Sequence, residues 1–138
     1  MNYQELKDKH TKEFSEVPIF WAFSNEQFAE GLKKQNIVKG EKLVSIGAGG
    51  YLRKADVPIL DEVIKKHKAE KKEFKKQDKE LIKAIESELG NHEYIITYDP
   101  SDTIAALDLD MEDERILKCF NAARKNYLKW QEENGCFA

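Results

Sequence analysis

Tyr3, Leu6, His10 and Phe14 recur at spacings of three and four and so share one face, which predicts a short helix over residues 3–14. The pattern then changes. Val17 to Phe23 is an unbroken apolar and aromatic run, short enough for a buried strand, with Pro18 tolerable at its start or edge. Ser24 offers a helix cap, and Gln27 is placed to return a bond to the Ser24 amide. Phe23 and Phe28 have the spacing of a hydrophobic staple across that cap. The helix that follows is expected over residues 25–35, with Phe28 and Leu32 inward. Gly31 inside it costs about 1 kcal/mol relative to Ala, which makes sense if another group packs closely there.

Leu43–Ile46 and Tyr51–Arg53 are short extended runs around Gly47-Ala48-Gly49-Gly50, the pattern of a β-hairpin. Asp56 and Pro58 mark a further helix start, with Asp61 and Glu62 in its first turn. The helical pattern then runs to Leu89, with an apolar group at each end and a highly polar middle. At 1.5 Å per residue such a helix is about 48 Å long and bridges two packed ends or projects into solvent. Residues 90–98 fit either a strand over Tyr94–Tyr98 or a continued helix, and the spacing of Ile85, Leu89, His92 and Ile96 favours the helix. Asp99 to Asp102 reads as a turn and residues 103–107 as a short helix. Asp110 is the expected cap of a last helix with Glu112, Asp113 and Glu114 in its first turn. The buried stripe of that helix is Ile116, Phe120, Ala123, Tyr127 and Trp130, flanked by Leu117 and Leu128. No repeat or linker interrupts the chain, so one domain over 1–138 is expected.

The 138 residues carry 36% charged and 41% hydrophobic side chains, too apolar for a wholly disordered chain. The longest apolar run falls far short of the roughly 20 residues of a membrane helix, and the N-terminal segment has no apolar core of a secretory signal. Cys119 and Cys136 lack metal-ligand spacing and read as free thiols of a reducing cytoplasm. The net charge of −3 and pI near 5.7 disfavour nucleic-acid binding by bulk charge. That total conceals a net +4 over residues 65–80 and a net −7 over residues 99–114. The first window has the interleaved acids of a solvated helix, or could mediate dimers through Phe74. The second fits helix caps and first-turn acids, or a surface for a basic partner.

Two further constellations could carry chemistry. The glycine run lacks the third glycine of a dinucleotide fingerprint, which would fall at Leu52, and the Lys-Ser/Thr ending of a P-loop. It reads as a turn with positive φ angles, or as a backbone nest for an anion. The ligand-binding candidates are therefore Gly47, Gly49, Gly50, Tyr51 as a stacking surface and Arg53 with Lys54 as charge. Glu88 and His92 share a helical face four residues apart, and a carboxylate beside an imidazole can bind a metal or tune a proton carrier. Glu93 and Asp99 are the candidate additional ligands; the alternative is a structural His–Glu pair. No nucleophile motif is present, and no catalytic residue is assigned.

The segments Pro18–Phe28, with Phe-Ser-Asn-Glu-Gln-Phe, Leu43–Gly50 and Glu88–Tyr94 resemble a group of small uncharacterised proteins from bacteriophages and gut bacteria, Gly-Ala-Gly-Gly and Asn-His-Glu-Tyr being the most specific parts. The resemblance implies a phage-encoded accessory protein of the cytoplasm acting on a host component. It implies no activity, cofactor or catalytic residue.

The fold expected is α+β: a small antiparallel sheet, built from one strand and a β-hairpin, packed against a long charged helix and a C-terminal helix. The function expected is binding of a host protein, or sequestration of a small anionic ligand, without catalysis; the sequence assigns no cofactor. Self-association through the 58–89 helix would add a second copy as partner. The alternative is a metal-dependent hydrolase or nuclease using Glu88 and His92.

Overall fold

A computed structural model describes residues 1–134. The fold is α+β: seven α-helices and one three-stranded antiparallel sheet occupy the described residues. The chain clusters into two compact units. Gln4–Glu70 form the N-terminal unit; Met1–Tyr3 and the chain from Lys71 form the C-terminal unit.

The N-terminal unit contains α1 (Tyr3–Ser15, whose first residue belongs to the other unit), β1 (Phe20–Trp21), α2 (Asn25–Lys34), β2 (Leu43–Gly47), β3 (Gly50–Arg53) and, after one 3-10 turn, most of α3 (Val57–Phe74). The strand order is β1-β3-β2, with Phe20 opposite Tyr51 and Leu52 opposite Val44. Alternation along β3 gives the sheet two different faces. Leu52, fully buried, joins Val17 and Leu60 in one apolar cluster, with Ile19, Val44, Val57 and Val63 around it. On the other face the rings of Phe20, Phe28 and Tyr51 pack together at centroid distances of 5.2–5.7 Å. The Phe20 ring also lies against Gly31, so closely that a Cβ there would sit 2.2 Å from it. This accounts for a glycine inside α2.

The strand expected over 17–23 shrinks to two residues. Pro18 has no N–H to donate, the Ile19 amide turns back onto the Val17 carbonyl at 2.7 Å, and the α2 cap begins at Ser24. The cap also differs in detail. Ser24 Oγ accepts from the Gln27 amide at 3.2 Å, but Gln27 Oε1 accepts from the Phe23 amide at 2.7 Å, one residue earlier than a capping box. Phe28 turns into the ring cluster while Phe23 stays exposed, so no staple forms between them.

The single helix expected over 58–89 is two helices, α3 and α4 (Asp78–Asn91), with Gln77 extended between them. Phe74 is buried against the Tyr3 ring rather than projecting. Arg115 donates to the Lys75 carbonyl at 2.7 Å and pairs with Asp78, and Lys75 Nζ donates to the Asp108 carbonyl at 2.8 Å. These contacts satisfy backbone and charge at the break. The lysine run therefore divides between two helices.

In the C-terminal unit, α4 is followed by α5 (Tyr94–Thr97), α6 (Ser101–Leu107) and α7 (Glu114–Glu133). Residues 94–97 are helical, as the spacing favoured, although Glu93 at φ 53° separates them from α4. Helix α7 packs along α4; Leu81, Ala84, Ile85 and Leu89 are among the buried residues of α4, and Ile116, Phe120, Ala123 and Tyr127 among those of α7. The stripe of α7 continues from Tyr127 to Gln131 at a spacing of four, leaving Trp130 at 56% exposure. Its cap is Asp113, which accepts from the Arg115 and Ile116 amides, whereas Asp110 accepts from Glu112 in the preceding turn. Cys119 is a buried free thiol whose pKa is pushed up by burial; Cys136 lies outside the described residues. Among the described residues no helix is long and apolar enough to cross a membrane.

Candidate functional site

The hairpin of the N-terminal unit closes with Gly47 opposite Gly50, so its loop is Ala48-Gly49, both with positive φ (51° and 83°). That is the twist a two-residue hairpin loop needs. Tyr51 belongs to the ring cluster on one sheet face. Arg53 donates to the Gln35 carbonyl at the end of α2 and to Glu41 at 3.3 Å, and lies 3.9 Å from Asp56. It lines a shallow depression with Glu41, Lys42, Lys54 and Ala55, where an anion would compete with two carboxylates for its charge. Above the turn sits a different kind of surface. Trp21 and Ile46 both close over Gly50, and Phe23 lies over Gly49. Trp21 is 48% exposed, Ile46 36% and Phe23 76%.

In the C-terminal unit, Glu88 is buried and both its oxygens are engaged. Tyr3 donates its hydroxyl to Oε1 at 2.7 Å, and His92 Nε2 lies 3.1 Å from Oε2. Burial first, then the hydrogen bond to Glu88 and its charge, holds the Tyr3 hydroxyl far above the ordinary phenol range. Glu93 is exposed, and Asp99 accepts from the Ser101 hydroxyl at 2.6 Å and amide at 3.0 Å, which lowers its pKa. Among the described residues, these two do not join Glu88 and His92 in a cluster of metal-binding size.

The cluster that does have that size lies in the N-terminal unit, on α1 and α3. Ligand atoms of His10, Glu13 and His67 all lie within 4.8 Å of one another. The two imidazoles stack, with centroids 3.9 Å apart and planes at 18°. His67 Nε2 is 3.4 Å from Glu13 Oε1, and His10 Nε2 is 3.8 Å from Glu70 Oε1. The outer carboxylate oxygens are held by lysines, Lys66 on Glu13 and Lys9 on Glu70. The Lys66 hydrogen bond, with the charges of Lys66, Lys9 and His67, keeps Glu13 below the usual carboxylate range despite some desolvation.

A family model matches residues 2–126 of the chain. The chain belongs to DUF7659, a family of unknown function. No curated protein and no solved structure matches it. The DUF7659 match takes in the hairpin, the Tyr3–Glu88–His92 network and the His10–His67 cluster alike. Sequence reasoning passed over the last of these. Its signal was present as one motif written twice, Lys9-His10-Thr11-Lys12-Glu13 and Lys66-His67-Lys68-Ala69-Glu70. In each, the i,i+3 spacing sets the histidine and the glutamate on one helical face.

Proposed function

We propose that this DUF7659 protein acts by binding rather than by catalysis, and that Trp21, Phe23 and Ile46 are the centre of its contact surface for another protein. The observation that carries this reading is the exposure of two aromatic side chains and one isoleucine that lie against the neighbouring hairpin glycines Gly49 and Gly50. Aromatic anchors of this kind supply most of the energy of protein–protein contacts, and a grouped apolar patch on a folded surface is more informative than scattered exposed residues. Glycines at 49 and 50 let the rings lie against the backbone, which limits the rotamer freedom lost on docking. Arg53, engaged by Gln35, Glu41 and Asp56, supports a small anionic ligand less well. The resemblance to phage and gut-bacterial proteins supports reading the chain as a phage-encoded accessory protein of the cytoplasm, with a host protein as the partner.

A photo-crosslinking residue at position 23 tests it, with the same residue at the exposed position 30 as control. The expected result in a bacterial lysate is one discrete product from position 23, absent from position 30 and lost in Trp21→Ser. Equal labelling from both positions, or a product containing only two copies of this chain, would overturn the reading.

A further inference from the structure

We propose that His10, Glu13 and His67 form a binding site for a divalent transition metal ion, with Glu70 as the fourth ligand. The site is separate from the aromatic surface and does not depend on it. Nitrogen and carboxylate donors suit ions of borderline softness such as Zn²⁺ and Co²⁺. Four donors at about 2.0–2.2 Å in a tetrahedral array are about 3.3–3.6 Å apart. Here the three principal ligand atoms lie within 4.8 Å of one another, and Glu70 Oε1 lies 3.8 Å from His10 Nε2, so the donors are already gathered and side-chain rotations would draw them together.

Two observations separate this cluster from ordinary surface ion pairs. Glu13 Oε1, His67 Nε2 and Glu70 Oε1 are all buried and make no hydrogen bond, although they lie among each other's donors and acceptors. Buried polar atoms without partners are rare and point to an ion or water between them. Next, each carboxylate already has an ammonium partner on its outer oxygen, Lys66 for Glu13 and Lys9 for Glu70. The inward oxygens are therefore not needed to answer those charges, and the lysines hold the carboxylates in place from outside, as hydrogen-bonding partners of metal ligands do. Coordination requires the rings to tilt out of their 18° stack so that their lone pairs converge.

The two ligand pairs come from motifs of the same form on antiparallel helices. Residues 10 and 13 of α1 face residues 70 and 67 of α3, so an ion here ties the start of the chain to the helix that follows the sheet. A bound ion accordingly stabilises the fold by mass action.

The test uses the full chain stripped of metal and titrated with Co²⁺ and then Zn²⁺. The expected result is one equivalent of Co²⁺ giving the visible absorption of a four-coordinate ion, displaced by Zn²⁺, with a rise in melting temperature. His67→Ala and Glu13→Gln should weaken binding at least tenfold, and His92→Ala should leave it unchanged. Glu13→Gln preserves an acceptor for Lys66, so it carries the test if His67→Ala fails to fold. Absence of both the absorption and the thermal shift in the unaltered protein overturns the proposal. So does binding that survives His67→Ala and Glu13→Gln but is lost in His92→Ala.

Discussion

Tyr3 donates its hydroxyl to the buried Glu88 at 2.7 Å, joining positions 85 residues apart in the chain. The bond completes a Tyr3–Glu88–His92 network in which both carboxylate oxygens are used. A buried carboxylate needs such partners, and hydrogen bonds to charged groups are worth about 1.5–3 kcal/mol. Tyr3 is only half-buried, so Tyr3→Phe should cost about 1–2 kcal/mol in urea denaturation.

The same contact makes a pH prediction. Folding raises the Tyr3 pKa, first through burial and then through Glu88. Between the unfolded value of about 10 and the higher folded value, the folded state keeps a proton that the unfolded state has lost. Stability contributed by this group is therefore complete below about pH 10 and falls as pH rises above it. Chemical denaturation from pH 8 to 11 should show a shallower alkaline decline in Tyr3→Phe than in the unaltered protein. Parallel declines would refute the link.

Arg115 holds the break between α3 and α4 through the Lys75 carbonyl and Asp78. The ion pair is largely solvent-exposed and contributes little; the bond to the carbonyl contributes about 1 kcal/mol. Arg115→Ala is expected to lower stability by about that amount and to speed amide exchange selectively around residues 75–81. Unchanged exchange there would show that Phe74 burial alone sets the break.

Gly31→Ala sets two effects against each other. Helix propensity improves by about 1 kcal/mol, but the new Cβ lies 2.2 Å from the Phe20 ring. That ring is held by Phe28 and Tyr51 and cannot swing away freely. Overpacking costs about 1–3 kcal/mol, and so close a clash places this site near the upper end. Net destabilisation is expected, recovered in part by adding Phe20→Leu. A more stable Gly31→Ala protein would mean that the ring has room to shift.

What could be read from the sequence follows the range of the forces involved. The hairpin was legible because its glycines answer a local need for positive φ, and the α7 stripe because one face repeats through Tyr127. The helix break at 75–77 was not. Lysines and glutamates there favour continuation, and the groups that end the helix, Tyr3 and Arg115, are remote in sequence. The metal-sized cluster was hidden for the same reason. His10 reads as part of an apolar helix face and His67 as part of a polar run until α1 and α3 are brought together. Phe23 shows the reverse error: its local spacing suggested a staple, but Phe28 finds better partners in Phe20 and Tyr51.

The loop residue Ala48 gives a last prediction, in which the gain should depend on the replacement. At φ 51° its Cβ is crowded against the backbone, a conformation that costs roughly 1 kcal/mol or more for an ordinary side chain. Glycine removes that strain but loosens the unfolded chain, which takes back roughly 0.4–1 kcal/mol. Asparagine tolerates the left-handed region through its short polar side chain and lacks that penalty. The urea midpoint should therefore rise most for Ala48→Asn, by about 0.5 kcal/mol in stability, and change little for Ala48→Gly. Gly49→Ala should lower it, because φ +83° is strained for alanine whatever space the Phe23 ring leaves. If Ala48→Asn is no more stable than the unaltered protein, the loop does not hold the two positive φ angles that its Gly47–Gly50 register requires.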